Sequence, residues 1–275
     1  MTQSSDESTF EGVNRFDFDS FLDNRDYLDA LVHTIDWQSQ LLAVRLMISR
    51  NRLAGEAFSK AIEDEAAELK AYNGPHHDHY VEHHVDMMHE SVYRDAAESM
   101  AAIGMIAPLV ESTLGQSLAA LGDMYDRKSI HPGNHKRWKR AENHEDRWNC
   151  QFYFNGKKEA KNNIILGLPQ LAGACGLDKF LSQDFMVWFE AMFTYRNFMF
   201  HGGFEWTIER RDFFEKEIEK KGWDQFFTCS TTDRRPWIYY IKDEAIVALP
   251  TMVESMLDGL GRFAKSLPSE LTSKP

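Results

Sequence analysis

Cysteine is scarce in this chain, and its three copies lie far apart. Cys150, Cys175 and Cys229 are odd in number and form no CxxC pair. A disulfide framework and a thiolate zinc site are therefore not expected. This usage is typical of a reducing compartment, and we expect a cytoplasmic protein.

Long apolar runs are also missing. No uninterrupted apolar stretch approaches the roughly 20 residues that a helix needs to cross a bilayer. Residues 1–7 are polar and acidic, without the basic and apolar regions of a secretion signal. We therefore expect no membrane as a partner.

Positive charge is in short supply over the chain as a whole. The 275 residues carry 31 Lys and Arg against 43 Asp and Glu, a net charge of −12. Such a charge disfavours indiscriminate binding to DNA, although a local basic site is still compatible with it. The sequence also lacks a phosphate-binding glycine loop, a GxSxG motif and an HExxH motif, which argues against the enzyme classes that depend on them.

Apolar residues at helical spacing dominate what is present. With 19 Phe and 7 Trp, the chain can bury a sizeable core. The pattern predicts an all-α fold with one β-hairpin, formed by residues 226–230 and 237–241. Predicted helices cover residues 20–50 with Ser20 as N-cap, 53–72, 76–103, 109–125 with Pro108 at its start or at a kink, 157–175 with Gly176 as C-cap, 182–201 with Ser182 as N-cap, 206–221 and 243–267. Apolar stripes run along two of these helices, from Phe185 to Phe193 and from Ile246 to Phe263, and we expect both to be buried.

One stretch combines three groups that can handle a phosphodiester. The sequence RNFMFH at residues 196–201 ends an aromatic-rich helix, and Gly202 and Gly203 follow it. A guanidinium suits a phosphate, and an imidazole moves protons near neutral pH. Arg196 and His201 could thus support metal-free RNA cleavage, in which the substrate's own 2′-hydroxyl attacks the phosphate. Ordinary capping of a helix end is the alternative interpretation.

Arg196, Asn197 and His201 at this spacing resemble the R-x4-6-H motif of the HEPN superfamily, in which a polar residue often follows the Arg. The resemblance implies a dimerising all-α bundle, a metal-independent endoribonuclease without a cofactor, and a role in toxin–antitoxin or anti-phage systems. It implies Arg196 and His201 as catalytic pair and Asn197 as supporting residue, at a cleft between two protomers. RNA would be the substrate and an antitoxin protein a candidate partner. Because some HEPN proteins are non-catalytic, a helical dimerisation or partner-binding module is the second hypothesis.

Composition, apolar periodicity and the resemblance together suggest a division of the chain. We expect a disordered lead-in at residues 1–15 and an N-terminal helical extension at 16–75. A HEPN-like helical domain would follow at 76–267, with an insertion at about 204–242. Residues 268–275 would form a loose tail.

A basic and aromatic segment at residues 127–161 is the candidate RNA-binding track. It carries ten cations and four anions within an acidic chain. Cations hold RNA phosphates, and a Trp ring can stack on a base. The alternative is a solvated loop that pairs with the acidic remainder. The predicted RNA contacts are Lys136, Arg137, Trp138, Lys139 and Arg140.

A histidine-rich helix start provides a third hypothesis. His79, His83 and Asp86 fall at i, i+4 and i+7, and His89 follows one turn later. Such spacing can bind Zn²⁺ or another divalent ion. A solvated helix start with incidental histidines explains the same pattern, and we do not favour a metal site.

Overall fold

The structure, a computed structural model, describes residues 22–33, 35–140, 144–155 and 160–272. These residues are mostly helical, with two small antiparallel hairpins, which confirms the all-α prediction at this coarse level. The predicted lead-in at residues 1–15 and the predicted N-cap Ser20 lie outside the described residues. No helix in the described ranges is long and apolar enough to cross a membrane.

The elements follow one another as helices interrupted by the two hairpins. The helices are α1 (Asn24–Leu31), α2 (Trp37–Ala71), α3 (His77–Arg127), α4 (Lys136–Arg140), α5 (His144–Trp148), α6 (Ile164–Cys175), α7 (Gln183–Gly202), α8 (Ile208–Lys221), α9 (Asp243–Lys265) and α10 (Ser269–Thr272). The strands are β1 (Phe152–Phe154), β2 (Ala160–Asn162), β3 (Phe227–Thr232) and β4 (Arg235–Ile241), paired β1 with β2 and β3 with β4.

Three helices, α3, α7 and α9, pack on one another at the centre of the core. The aromatic stripe predicted for α7 is buried, from Phe185 to Phe193. The apolar face predicted for α9 is buried as well, including Leu249, Val253 and Leu260. Burial of these long apolar stripes is what holds the bundle together, because each large side chain contributes about 1.5–3 kcal/mol when removed from water.

The predicted β-hairpin is present as β3 and β4, and it packs against α3. Its turn residues Asp233 and Arg234 have φ values of 49° and 63°, which match the twist that tight hairpin turns require. The Ile241 backbone N–H donates to the Ser99 hydroxyl at 2.8 Å, which fastens the end of β4 to α3.

The N-terminal helices begin and end at different residues from those predicted. A continuous helix over residues 20–50 was expected, but the chain leaves α1 after Leu31 and restarts at α2. The Asp36 carboxylate accepts from the Ser39 N–H at 2.9 Å and so caps α2. From there α2 runs through residue 52 without a break, because the apolar spacing on its inner face continues.

Pro108 neither starts a helix nor divides one. It lies inside the 51-residue helix α3, with its ring at the surface. The residues around it, Ile106, Ala107, Leu109 and Val110, are buried. Packing on both sides therefore holds the helix together across the N–H that proline lacks.

The helix predicted from residue 157 begins later, at Ile164. Residues 160–162 form β2 instead, and Asn163 caps α6 by accepting from the Leu166 N–H at 3.1 Å. The predicted C-cap Gly176 is confirmed by its left-handed conformation. Lys157 and Lys158 lie outside the described residues.

Beyond the core, α2 and α3 form a two-helix arm. The buried residues of α2 all lie between Trp37 and Ile48, and those of α3 begin at Ala96. Residues 49–71 and 77–95 therefore lie largely outside the buried core, although His89 and Tyr93 contact Trp237 of β4.

The C-terminal region is more ordered than predicted. Residues 269–272, which were expected to be loose, form α10, and Leu271 is buried against the bundle. At the other end of the chain α1 packs on α9, where a Cβ at Gly261 would lie 1.9 Å from the Asn24 carbonyl oxygen. Only glycine allows this close approach.

Candidate functional site

The RNFMFH sequence forms the last turns of α7, as predicted. The predicted N-cap Ser182 accepts from the Phe185 N–H at 3.1 Å and starts the helix. At the other end Gly203 adopts a φ of +66°, a conformation that glycine reaches without strain. The helix therefore stops immediately after His201 and Gly202.

Buried neighbours fix the orientation of the motif. Tyr195 and Met199 point into the core, and the Tyr195 hydroxyl donates to the Tyr239 carbonyl oxygen at 3.1 Å. Burial raises the pKa of this phenol well above its ordinary value. With these two residues turned inward, Asn197 and His201 are exposed, and Arg196 is half-buried at the edge of the core.

Arg196 is held in place by three neighbours. Its Nη1 lies 3.3 Å from the Glu111 carboxylate on α3 and 3.5 Å from the Asn197 side-chain oxygen. Its guanidinium carbon lies 5.8 Å from the centre of the Phe200 ring, which itself covers Gly104. The cation is thus partly neutralised by an acidic partner while 29% of its side chain stays accessible.

His201 lies about 140° around the helix from Arg196, because each residue turns an α-helix by about 100°. Asn197 and His201 are about 40° apart and share one face. One copy of α7 therefore does not direct Arg196 and His201 at the same point.

Glu111 is the residue of this site that the sequence did not reveal. It is 85 positions before Arg196 in the chain, and only the packing of α3 on α7 brings the two together. A carboxylate on a long helix has no local signal that distinguishes it from a solvated one.

The interpretation of Arg137 as an RNA contact is wrong. Its side chain is fully buried. It donates to the carbonyl oxygens of Arg147, Phe152 and Asn149 at 2.6–2.7 Å and to the Gln170 side chain at 3.1 Å. Burial lowers the pKa of this guanidinium to about 10, so it stays charged at neutral pH. Its five-donor fork ties α4 to the loop and strand that follow.

Trp138 is likewise a core residue, with its ring 4.8 Å from that of Trp148. It is therefore not available to stack on a base. Arg140 is half-buried and donates to the Phe154 carbonyl oxygen at 3.0 Å. Of the five predicted contacts, Lys136 and Lys139 are exposed.

The side chains of the histidine-rich stretch do not converge on one point. His83 contacts Glu65 on α2, and the His89 ring lies edge-on to Trp237 of β4. Within the described ranges, no three His, Cys, Asp or Glu side chains come together as a set of metal ligands. The face shared by His79, His83 and Asp86 is real, but its side chains diverge toward different neighbours or solvent.

A cleft of about 430 Å³ between α2, α3 and the start of α9 is separate from the motif. Asp95, Glu98 and Asp243 face one another there. Burial and the charge of Asp243 raise the pKa of Asp95 to about 6. The same causes, with Asp95 itself, raise the pKa of Glu98.

Comparison of the chain with models of protein families, with curated proteins and with solved structures finds no match.

Proposed function

We propose that the chain is a metal-independent endoribonuclease in which Arg196, Asn197 and His201 act on a phosphodiester. The observation that supports this best is the separation of roles along the end of α7. Tyr195 and Met199 anchor the helix in the core, while Asn197 and His201 reach solvent and Arg196 stays accessible beside them. A helix end that served only packing would not need these three polar groups together.

The proposed reaction uses the substrate's own nucleophile. The imidazole of His201 removes the proton of a ribose 2′-hydroxyl, whose oxygen then bonds to the adjacent phosphorus. The bond from phosphorus to the 5′-oxygen breaks, and that oxygen takes up a proton from water, after which the His201 imidazolium returns its own proton to the solvent. The Arg196 guanidinium stabilises the negative charge on the phosphorane. The products are a 2′,3′-cyclic phosphate and a free 5′-hydroxyl.

A second protomer is part of this proposal. Because Arg196 and His201 point about 140° apart on one helix, a composite site would need residues from two copies. Lys136 and Lys139 would supply cations for the approach of RNA to an otherwise acidic chain. Toxin–antitoxin or anti-phage function, an antitoxin partner and a cytoplasmic location stay predictions from the resemblance and the composition.

The cleavage test compares the wild-type chain with Arg196→Ala and His201→Ala. We expect wild-type cleavage of single-stranded RNA in excess EDTA, with cyclic phosphate ends, and a loss of at least about 100-fold in each variant. His33→Ala and Arg52→Ala, which change exposed residues outside both α7 and the basic segment, are the controls. Folded Arg196→Ala and His201→Ala variants that cleave RNA as fast as the wild-type chain would contradict the proposal.

The ion pair between Arg196 and Glu111 favours a second candidate, a non-catalytic helical interaction module. A guanidinium already paired at 3.3 Å has less charge to offer a phosphate, and it could simply join α7 to α3. In that case Arg196→Ala would lower the free energy of unfolding while no RNA cleavage is found for any form. Melting curves recorded on the same samples separate the two candidates.

A further inference from the structure

The outer face of α2 carries an exposed apolar stripe. Leu42, Leu46 and Leu53 have 58%, 57% and 63% of their surface accessible. At 100° per residue they lie within about 40° of one another around the helix, opposite the side that enters the core. A single exposed leucine needs no explanation, but an aligned set of three marks a surface that excludes water when a partner covers it.

In the second half of the helix, the side chains on the same face are small. Ala57, Ala67 and Ala71 continue the line of the leucines and are exposed. Large side chains thus occupy one half of the face, and small ones occupy the other. Two such faces fit together closely only when the halves are exchanged.

Charge is divided along α2 in the same way. Residues 37–53 contain three arginines and no acid, a net charge of +3. Residues 54–71 contain five carboxylates against two lysines, a net charge of −3. On the side of the leucines themselves, Arg50 lies in the first half, and Asp64 and Glu68 lie in the second.

We propose that this face of α2 binds the same face of a second copy of the chain, with the two helices antiparallel about a two-fold axis. The antiparallel arrangement sets leucines against alanines and the basic half against the acidic half, whereas a parallel one sets like against like. A surface that is complementary to itself under a two-fold rotation is what a symmetric dimer requires.

An axis near residue 57 gives the interface a specific register. Leu42 then lies opposite the partner subunit's Ala71, Leu46 lies opposite the partner subunit's Ala67, and Arg50 lies within one residue of the partner subunit's Asp64. Lys60 lies on the same face in the acidic half. Its aliphatic stem covers apolar surface in the interface, while its ammonium group reaches water. The exposed line from Leu42 to Ala71 is about 44 Å long, so many side chains contribute.

This interface is distinct from the cleft of the endoribonuclease proposal. None of its residues contacts Arg196, Asn197 or His201. Its test measures mass in solution and not RNA cleavage, so either proposal can fail without the other.

The test is the mass of the purified full chain by sedimentation or light scattering over a range of concentrations. We expect the wild-type chain to have twice the mass of a double variant, Leu46→Glu with Leu53→Glu, in which the dissociation constant of the α2 pair is higher by about 30-fold or more. Because both leucines are exposed in the single copy, the thermal melt of the monomer should stay unchanged. Val81→Glu with Val85→Glu, exposed apolar residues on α3, is the matched control and should leave the dimer intact.

Charge reversal tests the antiparallel register. Arg50→Glu and Asp64→Lys should each weaken self-association, while an equimolar mixture of the two variants should regain the dimer mass, because each then faces its opposite. A wild-type chain that stays monomeric at about 100 µM overturns the proposal. A leucine double variant that keeps the wild-type mass overturns it as well, because loss of the α2 pairing should halve that mass whether or not a second pair forms at the α7 cleft.

Discussion

Two arginines, Arg137 and Arg196, show that the same side chain has different roles in different surroundings. Arg137 is fully buried and donates to backbone carbonyl oxygens, whereas Arg196 is partly accessible and pairs with one carboxylate. In the sequence both look like cations beside aromatic residues. Their difference arises from what surrounds them: carbonyls at the end of short elements in one case, and the surface of α3 in the other.

Arg137→Met should destabilise the protein strongly. The methionine fills much of the space but leaves several buried carbonyl oxygens without a donor, and each unsatisfied group costs about 1–3 kcal/mol. We expect the free energy of unfolding in urea to fall by about 3 kcal/mol or more. Lys136→Met, at the exposed neighbouring position, should change it by less than about 0.5 kcal/mol. A small effect at Arg137 would mean that water replaces the lost donors.

At the scale of elements, apolar periodicity located helices well and their ends poorly. The stripes of α7 and α9 were predicted because each repeats every three to four residues. Cap residues such as Asp36 and Asn163 fix where a helix begins through one hydrogen bond, and the sequence offers several candidate caps within a few positions. The local preference of Pro108 predicts a helix start or a kink, and burial of its neighbours in α3 overrides the first of these.

Pro108→Ala should stabilise α3. Alanine restores the N–H that can donate within the helix and removes the clash of the ring with the preceding turn. Because Pro108 is exposed, no core contact is lost, although the unfolded chain gains some freedom. We expect the free energy of unfolding to rise by about 1–2 kcal/mol, measured by urea titration. Ala101→Pro is the control, seven residues earlier on the same exposed side, and it should lower the free energy of unfolding by about 3 kcal/mol. A loss of stability in Pro108→Ala would contradict the prediction and show that the proline itself stabilises the fold.

At the scale of the whole molecule, the cleft between α2, α3 and α9 couples folding to pH. Asp95 has a folded pKa of about 6, above the ordinary 3.8, because burial and Asp243 disfavour its charge. Its contribution to stability is therefore fully present below about pH 4 and is lost as the pH rises through 6. Folding is what brings these carboxylates together, since they come from separate helices.

Asp95→Asn should accordingly stabilise the protein at pH 7.5 and not at pH 4. Because the side chain is accessible from the cleft, solvent screens the repulsion, and we expect a gain of about 1 kcal/mol at the higher pH. Urea unfolding of both forms at the two pH values provides the measurement. Glu219→Gln, an exposed change on α8, should show no such dependence. A gain of equal size at both pH values would contradict the assigned pKa.

The helical class, the β-hairpin, the buried stripes of α7 and α9, and the place of the RNFMFH sequence at a helix end could all be predicted from the chain alone. These features depend on residues close together in the chain, and local periodicity and turn chemistry reveal them. The folded arrangement was needed to show that Arg137 and Trp138 are internal, that Glu111 meets Arg196, and that the leucines of α2 stay uncovered. Each of these depends on contacts between distant segments, for which the order of residues within one segment contains no signal.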